Sequence, residues 1–559
     1  MHNLLLFLQD MYATPINNYL VMKAQQEYDY IIVGSGFGGS VSAMRLAEKG
    51  YKVLIIEKGK RFQNKDYPKS DWNFRKFFWA PIIRCFGIQK LTFFKEVFIL
   101  SGVGVGGGSH VYGNTHMVPG DEFFNNPVWR EFKNWKSTLL PFYEKAKFML
   151  GTIPYTRFND EDLILREVAR DMGKEASFEG VNVGVYYGDT KKAKDPYFKG
   201  LGPERLGCQE CAACMVGCRH NAKNTLDKNY LYFAEKFGAV ILPETKVEKI
   251  KFENGVYSVE TKSSTAFFKK GKKSFRSKGL VISGGVLGTM NLLLSQKNAH
   301  KTLNKLSNRL GENIMTNSES LCGVTNADRK LNNGLAISSV FNPDPNTHIE
   351  VVKYNNESGV LGKLSTFATS AGKGIPRPLK MFLEIFKRPI GFLKMLIKKS
   401  WGKNTVIFLV MQSLSNSMKL EWKKGLFGGG ISFVNQGLEK VPSYIPIGQE
   451  VMNKYAEKVN GTPVNAITEV IFNMATTAHI LGGCPMGKTI EEGVVDENFA
   501  VHGYPNMYIL DGSIIPCNLG VNPSLSITAL SEYAMSNIPE KQGNNQKSLD
   551  EQLEKRSIV

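Results

Sequence analysis

The pattern of hydrophobic and polar positions near the start of the chain predicts a strand, a helix and a second strand. Residues 28–33 form a short apolar run of strand-forming side chains, and residues 53–56 form another. Between them, Ala43, Leu46 and Ala47 lie at helical spacing. This order is typical of a βαβ unit, in which two parallel strands flank a crossover helix.

The turn between the first strand and the helix is rich in glycine. Gly34, Gly36 and Gly39 form a GxGxxG pattern, and Glu57 ends the second strand. Gly34 permits a tight turn, Gly36 lets the backbone approach a pyrophosphate, and Gly39 lets the helix pack closely on the strand. The helix N-terminus favours phosphate, and Glu57 can accept hydrogen bonds from ribose hydroxyls. The pattern predicts a dinucleotide site and leaves FAD and NAD both open.

A second glycine cluster spans residues 102–109, after a strand-like run at residues 97–100. Its glycines indicate backbone with φ > 0 or backbone that lies against a ligand. The regular sequence that follows argues against the alternative, a flexible linker. We therefore expect this segment to line the ligand site through Gly104, Gly106, Gly107, Gly108 and Ser109.

Length and composition fit a folded protein of more than one domain. The 559 residues are 42% hydrophobic and 22% charged, which is ordinary for globular proteins. At roughly 100–200 residues per domain, two or three domains are expected. The formal net charge of +19 fits a nucleic-acid binder, a protein of anionic membrane surfaces or a soluble basic protein. We find no nucleic-acid-binding motif and expect no nucleic-acid partner.

Four of the eight cysteines lie close together, at Cys208, Cys211, Cys214 and Cys218. Their spacing is that of bacterial iron–sulfur proteins, although Arg219 stands where proline usually follows. An iron–sulfur cluster, a zinc ion, and reduced or redox-paired thiols are the three interpretations. Because the cysteines are too sparse for a disulfide scaffold, a reducing compartment is favoured, and we expect a cytoplasmic protein.

Residues 373–403 combine basic and aromatic side chains. Lys380, Lys387, Lys394 and Lys398 follow one stripe of a helix whose other sides are apolar. A proline near its middle is expected to kink the helix. We weigh two interpretations: a peripheral contact with the inner face of an anionic membrane, and a buried helix with a solvated stripe.

The C-terminal part contains the most specific motifs. His479 is followed by a glycine pair, Asp511 and Gly512 follow a strand-like run, and Asn522 and Pro523 precede a helical pattern. Together with the N-terminal glycines, these motifs resemble the glucose-methanol-choline (GMC) family of FAD oxidoreductases, and its cholesterol-oxidase branch in particular. The resemblance covers most of the chain.

The resemblance implies a mixed α/β fold with a Rossmann-like FAD-binding domain and a substrate domain built on an antiparallel sheet, both discontinuous. The FAD-binding domain would comprise residues 27–120, 222–320 and 475–540. The substrate domain would comprise residues 121–221 and 321–474. Residues 1–26 and 541–559 are expected to be flexible tails.

The resemblance also favours FAD over NAD. It implies that Asn114, Asp511 and Gly512 lie against the cofactor. The helix that follows Pro523 would point its positive end at the flavin and stabilise the reduced, anionic ring.

On the same resemblance we expect oxidation of a secondary alcohol of a hydrophobic substrate, a 3β-hydroxysteroid such as cholesterol, by hydride transfer to flavin N5. His479 and Asn522 would hold the substrate hydroxyl, because imidazole can take its proton and an amide can both donate and accept. Glu350 would move a proton in a Δ5 to Δ4 isomerisation, unless its strand sends it to solvent. Electrons would pass to oxygen or to a carrier.

Two alternatives remain from the sequence. One is a GMC-type alcohol dehydrogenase that passes electrons to a quinone or carrier. The other is a flavin-binding, membrane-associated protein without catalysis.

Overall fold

The computed structural model describes residues 27–268, 271–372, 374–425, 429–434 and 441–556. The helices of this part of the chain are α1 (Phe37–Glu48), α2 (Phe74–Phe77), α3 (Asp121–Phe124), α4 (Trp135–Met149), α5 (Asp160–Asp171), α6 (Tyr230–Lys236), α7 (Val286–Ser295), α8 (Arg377–Lys387), α9 (Pro389–Ile397), α10 (Pro446–Lys458), α11 (Ile467–Phe472), α12 (Ser524–Ser536) and α13 (Leu549–Lys555). The strands are β1 (Glu27–Val33), β2 (Val53–Ile56), β3 (Trp79–Ala80), β4 (Cys85–Phe86), β5 (Gln89–Phe93), β6 (Val97–Gly102), β7 (Ile153–Pro154), β8 (Glu179–Gly180), β9 (Asn182–Val183), β10 (Val240–Leu242), β11 (Thr245–Glu253), β12 (Val256–Ser263), β13 (Lys273–Ile282), β14 (Ser320–Thr325), β15 (Ile337–Asp344), β16 (Thr347–Val352), β17 (Ser365–Phe367), β18 (Val406–Gln412), β19 (Lys419–Lys423), β20 (Gly430–Val434), β21 (Thr462–Ala466), β22 (Ala475–Thr477) and β23 (Met507–Ile509).

The βαβ unit forms the centre of a seven-stranded sheet. The order is β10-β2-β1-β13-β12-β11, and β23 also pairs with β13. β1 runs parallel to β2 and β13, while β11 and β12 join by antiparallel pairing. β1 and β2 are continuous apolar runs because side chains on both faces are covered, as at Ile31, Ile32, Leu54 and Ile55.

Helix α1 lies very close to this sheet, and its glycines explain how. A Cβ atom added at Gly39 would stand 2.1 Å from the Gly34 carbonyl oxygen, and one added at Gly38 would stand 1.8 Å from that of Leu510. Any larger residue would push α1 off the strands. Two of the three glycines predicted for a dinucleotide turn, Gly34 with φ of 99° and Gly39, are therefore at positions where the backbone needs glycine.

A second seven-stranded sheet is antiparallel throughout, in the order β17-β21-β14-β18-β16-β15-β8. Helices α5 and α10 pack beside it, and a buried cluster that includes Val324, Phe408 and Tyr455 fills the space. Its strands come from widely separated parts of the chain. The mixed α/β class, with a Rossmann-like part and an antiparallel part, is confirmed.

A three-stranded sheet, in the order β22-β6-β5, connects distant segments of the chain. β22 pairs in parallel with β6, so that Thr477 stands opposite Ile99. β6 leads into the second glycine cluster and β22 leads into His479. Since parallel strands end at the same edge, this pairing brings His479 to the glycine-rich segment.

The C-terminal segment differs from the expected flexible tail. Helix α13 buries Leu549 and Leu553, and the Leu549 N–H donates to Glu48 at 2.5 Å. Residues 541–556 therefore pack against α1. Residues 1–26 and 557–559 lie outside the described part of the chain.

The basic segment forms two helices rather than one kinked helix. α8 ends at Lys387 and α9 begins at Pro389, where a missing N–H costs nothing because the first turn has no acceptor for it. Lys373, where the predicted segment begins, lies outside the described residues. Within the described ranges, no helix is both long and apolar enough to span a bilayer.

Candidate active site

The two glycine clusters meet. The Gly106 N–H donates to Ser35 Oγ at 3.2 Å, and a Cβ atom added at Gly107 would stand 2.8 Å from Gly36 Cα. Gly104, Gly106 and Gly107 all have positive φ. The second cluster thus closes over the turn at the N-terminus of α1, as expected if both line one ligand site.

Glu57 holds this turn in place. Its Oε2 accepts from the Ser35 N–H at 3.1 Å and from Ser35 Oγ at 2.8 Å, and its Oε1 accepts from the Gly59 N–H at 2.8 Å. A carboxylate offers about four acceptor sites, so capacity remains for a ribose hydroxyl.

The surroundings of the turn fit an extended polar cofactor. A Cβ atom added at Gly36 would meet nothing within 4 Å, so open space lies in front of the helix N-terminus. Asn114 is fully buried with φ of 70°, and apart from the Cys214 thiol its side-chain amide has no hydrogen-bond partner among the described residues. Buried amide atoms without partners are costly, and a bound ligand would pair them.

The C-terminal motif around Asp511 and Gly512, which was expected to contact the cofactor, forms a fixed turn. Asp511 Oδ1 accepts from the Ser513 N–H at 2.8 Å, which fixes the turn at Gly512, and burial raises the pKa of Asp511. Pro523 stands immediately before α12, at the capping position rather than inside the first turn. The N-terminus of α12 therefore follows directly on Asn522.

His479 is held by a carboxylate that the sequence analysis did not identify. Glu319 is fully buried, its Oε1 contacts His479 Nδ1, and its Oε2 accepts from the Ala478 N–H at 2.8 Å. Burial alone would lower the pKa of His479, but the charges of Glu319 and Glu350 outweigh it and raise that pKa above its usual value. The contact with Glu319 fixes the orientation of the His479 ring and occupies its Nδ1 atom.

Glu350 and Asn522 lie together beside His479. Glu350 is fully buried, which excludes the solvent-exposed interpretation of its strand. Asn522 Nδ2 donates to Glu350 Oε2 at 3.2 Å, and His348 Nε2 lies 3.3 Å from Glu350 Oε1. Asn522 Oδ1 has no partner among the described residues. The three residues predicted to be catalytic are thus brought together from β16, the segment after β22 and the start of α12.

Asn317 is a further residue that the sequence did not reveal. It has φ of 56°, and its Oδ1 accepts from the N–H groups of Leu519 and Gly520 at 3.1 and 2.9 Å. It therefore shapes the loop that carries Asn522. Asn317 and Glu319 belong to a polar run before β14, which is typical of an exposed loop, and only the fold shows that it is buried.

The four clustered cysteines are free thiols that line one pocket: Cys208, Cys211, Cys214 and Cys218. The described residues contain no group of three or more His, Cys, Asp or Glu side chains placed to hold a metal ion. The predicted iron–sulfur cluster thus finds no support in this structure.

Comparison with known proteins identifies the family. The sequence pattern described as GMC oxidoreductase matches residues 201–317 and 430–531, and that of an NAD(P)-binding Rossmann-like domain matches residues 32–65. Relatives align over nearly the whole length. The chain belongs to the GMC oxidoreductase family, and it is an FAD-dependent oxidoreductase that acts on CH–OH groups.

Among the relatives, a cholesterol oxidase of Mycobacterium tuberculosis is 42% identical over 92% of both chains. A cholesterol oxidase of Acinetobacter baumannii is 40% identical over 94% of this chain and 96% of its own. A long-chain-alcohol oxidase of Arabidopsis thaliana is 26% identical over 93% of this chain and 68% of its own.

Solved structures share the fold at low sequence identity. Pyridoxine 4-oxidase from Mesorbium loti has a TM-score of 0.59 at 14% identity, covering 91% of this chain and 99% of its own. Formate oxidase from Aspergillus oryzae has a TM-score of 0.56 at 14% identity, covering 92% and 98%. The likeness covers more than nine-tenths of this chain and shows the fold.

Proposed function

We propose that this protein oxidises the 3-hydroxyl group of a steroid, with FAD as hydride acceptor. The observation that carries the proposal is the cluster of His479, Asn522 and Glu350 beside the glycine-rich cofactor site. The relatives named cholesterol oxidase, at 40–42% identity over nearly the full length, support the substrate class.

His479 and Asn522 hold the substrate oxygen. Because Nδ1 of His479 is committed to Glu319, Nε2 is the ring nitrogen left to share the hydroxyl proton. Asn522 donates one N–H of Nδ2 to Glu350 at 3.2 Å, and the second N–H of the same amide donates to the substrate oxygen. Bound flavin supplies the hydride acceptor at N5. Removing the hydroxyl proton favours loss of the hydride from the same carbon.

Glu350 is placed to act in a second step, after oxidation of the hydroxyl. Its carboxylate is buried between His348 and Asn522. We propose that it carries a proton between ring carbons and so isomerises a Δ5 to a Δ4 ketone.

We propose oxygen as the electron acceptor, because the relatives are named oxidases. A sterol is nearly insoluble in water. We propose that the enzyme is cytoplasmic and withdraws its substrate from a membrane by peripheral contact. The thiol pocket takes no part in this proposal.

The test is bleaching of the flavin without oxygen. Cholesterol is expected to reduce the bound flavin rapidly, and admission of oxygen is expected to restore the oxidised spectrum with formation of peroxide. A long-chain primary alcohol serves as the comparison substrate. If it bleaches the flavin and cholesterol does not, the steroid proposal is wrong.

A further inference from the structure

Large apolar side chains are exposed along α8 and α9. Between 47% and 86% of each side chain is accessible, at Leu379, Phe382, Leu383, Phe386, Ile390, Leu393 and Ile397. We call this surface the helical lobe. Monomeric soluble proteins rarely expose so many apolar groups side by side, and such patches mark interaction surfaces.

The helical lobe is anchored from its other side. Met381 and Met395 are buried beneath the two helices, and the Phe392 ring lies 5.9 Å from that of Phe367. Lys363 Nζ donates to the Lys398 carbonyl at 2.9 Å. The exposed face is therefore the outward side of a packed element.

The lobe carries a positive charge excess. Lys387 and Arg388 are both about two-thirds exposed, and Lys394 and Lys399 are exposed as well. Its one acid among described residues 374–403, Glu384, pairs with Lys387 at 3.0 Å and with Arg388 at 3.3 Å. A second copy of the chain would bring the same positive charges together, so self-association through this face is disfavoured.

A second exposed apolar surface adjoins the first. Its members are Trp72, Phe74, Ile82, Ile83, Phe267 and Phe268, with Ile82 98% exposed. We call it the hairpin lobe, because Ile82 and Ile83 form the tip between β3 and β4. Arg84 lies 5.8 Å from the Phe267 ring and adds positive charge, as do exposed Arg75 and Lys76.

The two lobes are joined by direct contacts. Trp72 Nε1 donates to the Lys399 carbonyl at 3.1 Å, just beyond the end of α9. The Asp71 carboxylate accepts from the backbone N–H groups of Gly359, Val360 and Leu361 at 2.8–3.1 Å. The base of the hairpin lobe is thus fixed to the substrate domain beside the helical lobe.

We propose that the helical and hairpin lobes dock together on an anionic lipid bilayer. The apolar side chains would enter the boundary of the acyl chains, and the lysines and arginines would meet the anionic headgroups. This proposal rests on the proposed withdrawal of substrate from a membrane, and it adds which surface makes the contact and that both domains share it.

The experiment measures binding to vesicles of phosphatidylcholine with and without phosphatidylglycerol. The intact protein is expected to sediment only with the anionic vesicles. Each basic side chain near such a surface strengthens binding about fivefold. A variant that lacks four of these charges is therefore expected to bind the anionic vesicles about a hundredfold more weakly, or weaker still. That variant replaces with Gln the residues Lys387, Arg388, Lys394 and Lys399. Its control replaces four exposed lysines elsewhere, Lys174, Lys191, Lys192 and Lys194, and is expected to bind nearly as the intact protein does.

A second variant separates the lobes. Ile82→Ser with Ile83→Ser removes apolar groups from the hairpin lobe alone and is expected to weaken vesicle binding at least tenfold, while Leu140→Ser with Leu163→Ser on α4 and α5 is not. Oxidation of detergent-dispersed cholesterol is expected to continue in every variant, which separates a failure of docking from a failure of the proposed chemistry. Equal binding by the hairpin variant, or a dimer that the variants dissociate without any vesicle binding, would overturn the proposal.

Discussion

At the scale of single residues, the pairing of His479 with Glu319 determines how the site responds to pH. The carboxylate raises the pKa of His479, so neutral imidazole, the form that can take a proton, appears only as the pH rises through that raised value. Glu319→Gln removes the charge but keeps the shape. We expect the acid limb of the kcat/KM profile to move to lower pH, and kcat to fall about tenfold or more because the imidazolium formed when His479 takes the proton loses its counter-charge.

The measurement is a pH profile of steady-state oxidation for both proteins. The conservative Glu319→Asp variant is the control, since it keeps the charge and should keep the limb near its original pH. An unshifted limb in Glu319→Gln would show that the titrating group is not His479.

Glu350 allows the two proposed steps to be separated. Gln keeps the hydrogen bond with Asn522 but cannot accept a proton from carbon. Glu350→Gln is therefore expected to bleach the flavin with a Δ5-3β-hydroxysteroid and to accumulate the unisomerised ketone. His479→Ala and Asn522→Ala are expected to slow bleaching itself. Release of the conjugated ketone at the normal rate by Glu350→Gln would remove that residue from the second step.

The sequence predicted residues whose function is local and missed those whose function depends on distant contacts. The glycines of the first turn could be predicted as a cofactor site because the strand before them and the helix after them are visible in the neighbouring sequence. Glu319 could not, because its partner His479 is 160 positions away and nothing in its own polar run indicates burial.

At the scale of elements, the contact between the two glycine clusters can be tested by adding one methyl group. Gly107 has φ of 52°, and its added Cβ would meet the backbone of Gly36. Gly107→Ala is expected to cost about 1–2 kcal/mol in backbone conformation alone. The clash adds to this cost and is expected to lower the flavin content of the purified protein.

Gly173→Ala is the matched control. Gly173 also has positive φ, but an added Cβ meets nothing within 4 Å, so only the conformational cost remains. Flavin content and melting temperature report both effects. Full flavin content in Gly107→Ala would mean that the two clusters do not close on the cofactor.

A buried ion pair joins α5 to the substrate sheet. Lys353, just after β16, contacts Glu161 Oε1 at 2.8 Å, and both side chains are fully buried. Glu161→Gln leaves the ammonium without a counter-charge, so we expect a loss of about 3–5 kcal/mol in the free energy of unfolding. Replacing both with Leu and Met should cost much less. The exposed pair Arg61–Glu235 is the comparison, where Glu235→Gln should cost under about 1 kcal/mol by denaturant titration.

Element types were predictable where a local pattern repeats, and element limits were not. The stripe of lysines in residues 373–403 indicated a helix, but the break at Arg388 follows from Pro389 starting a new helix. Residues 541–556 carry few apolar groups, so no local pattern indicates that α13 packs on α1 and buries Leu549 and Leu553.

At the scale of the whole molecule, the site is assembled by pairings between distant segments. β6 meets β22, and β13 meets β23, across gaps of several hundred and more than two hundred residues. No single-sequence pattern encodes such pairings, because period and turn chemistry act only on neighbours. The discontinuous architecture could be expected only through the resemblance to a family, and the confirmed fold class rests on that step.

This assembly makes the cofactor a structural member of the fold. The segment at Gly104–Asn114 contacts the turn after Gly34 through the Gly106–Ser35 hydrogen bond, and α1 packs at Gly38 against Leu510, next to the motif at Asp511–Asn522. A ligand that binds only the folded state adds stability, about 2.7 kcal/mol at a free concentration of 100 times its Kd. Removing FAD is therefore expected to lower the melting temperature by several degrees and to expose the segments around Gly107 to protease. FAD should reverse both changes, and NAD at the same concentration should reverse neither, because the motif at Asp511 and Gly512 would contact only the flavin half. Recovery with NAD alone would show that the site was built for the other dinucleotide.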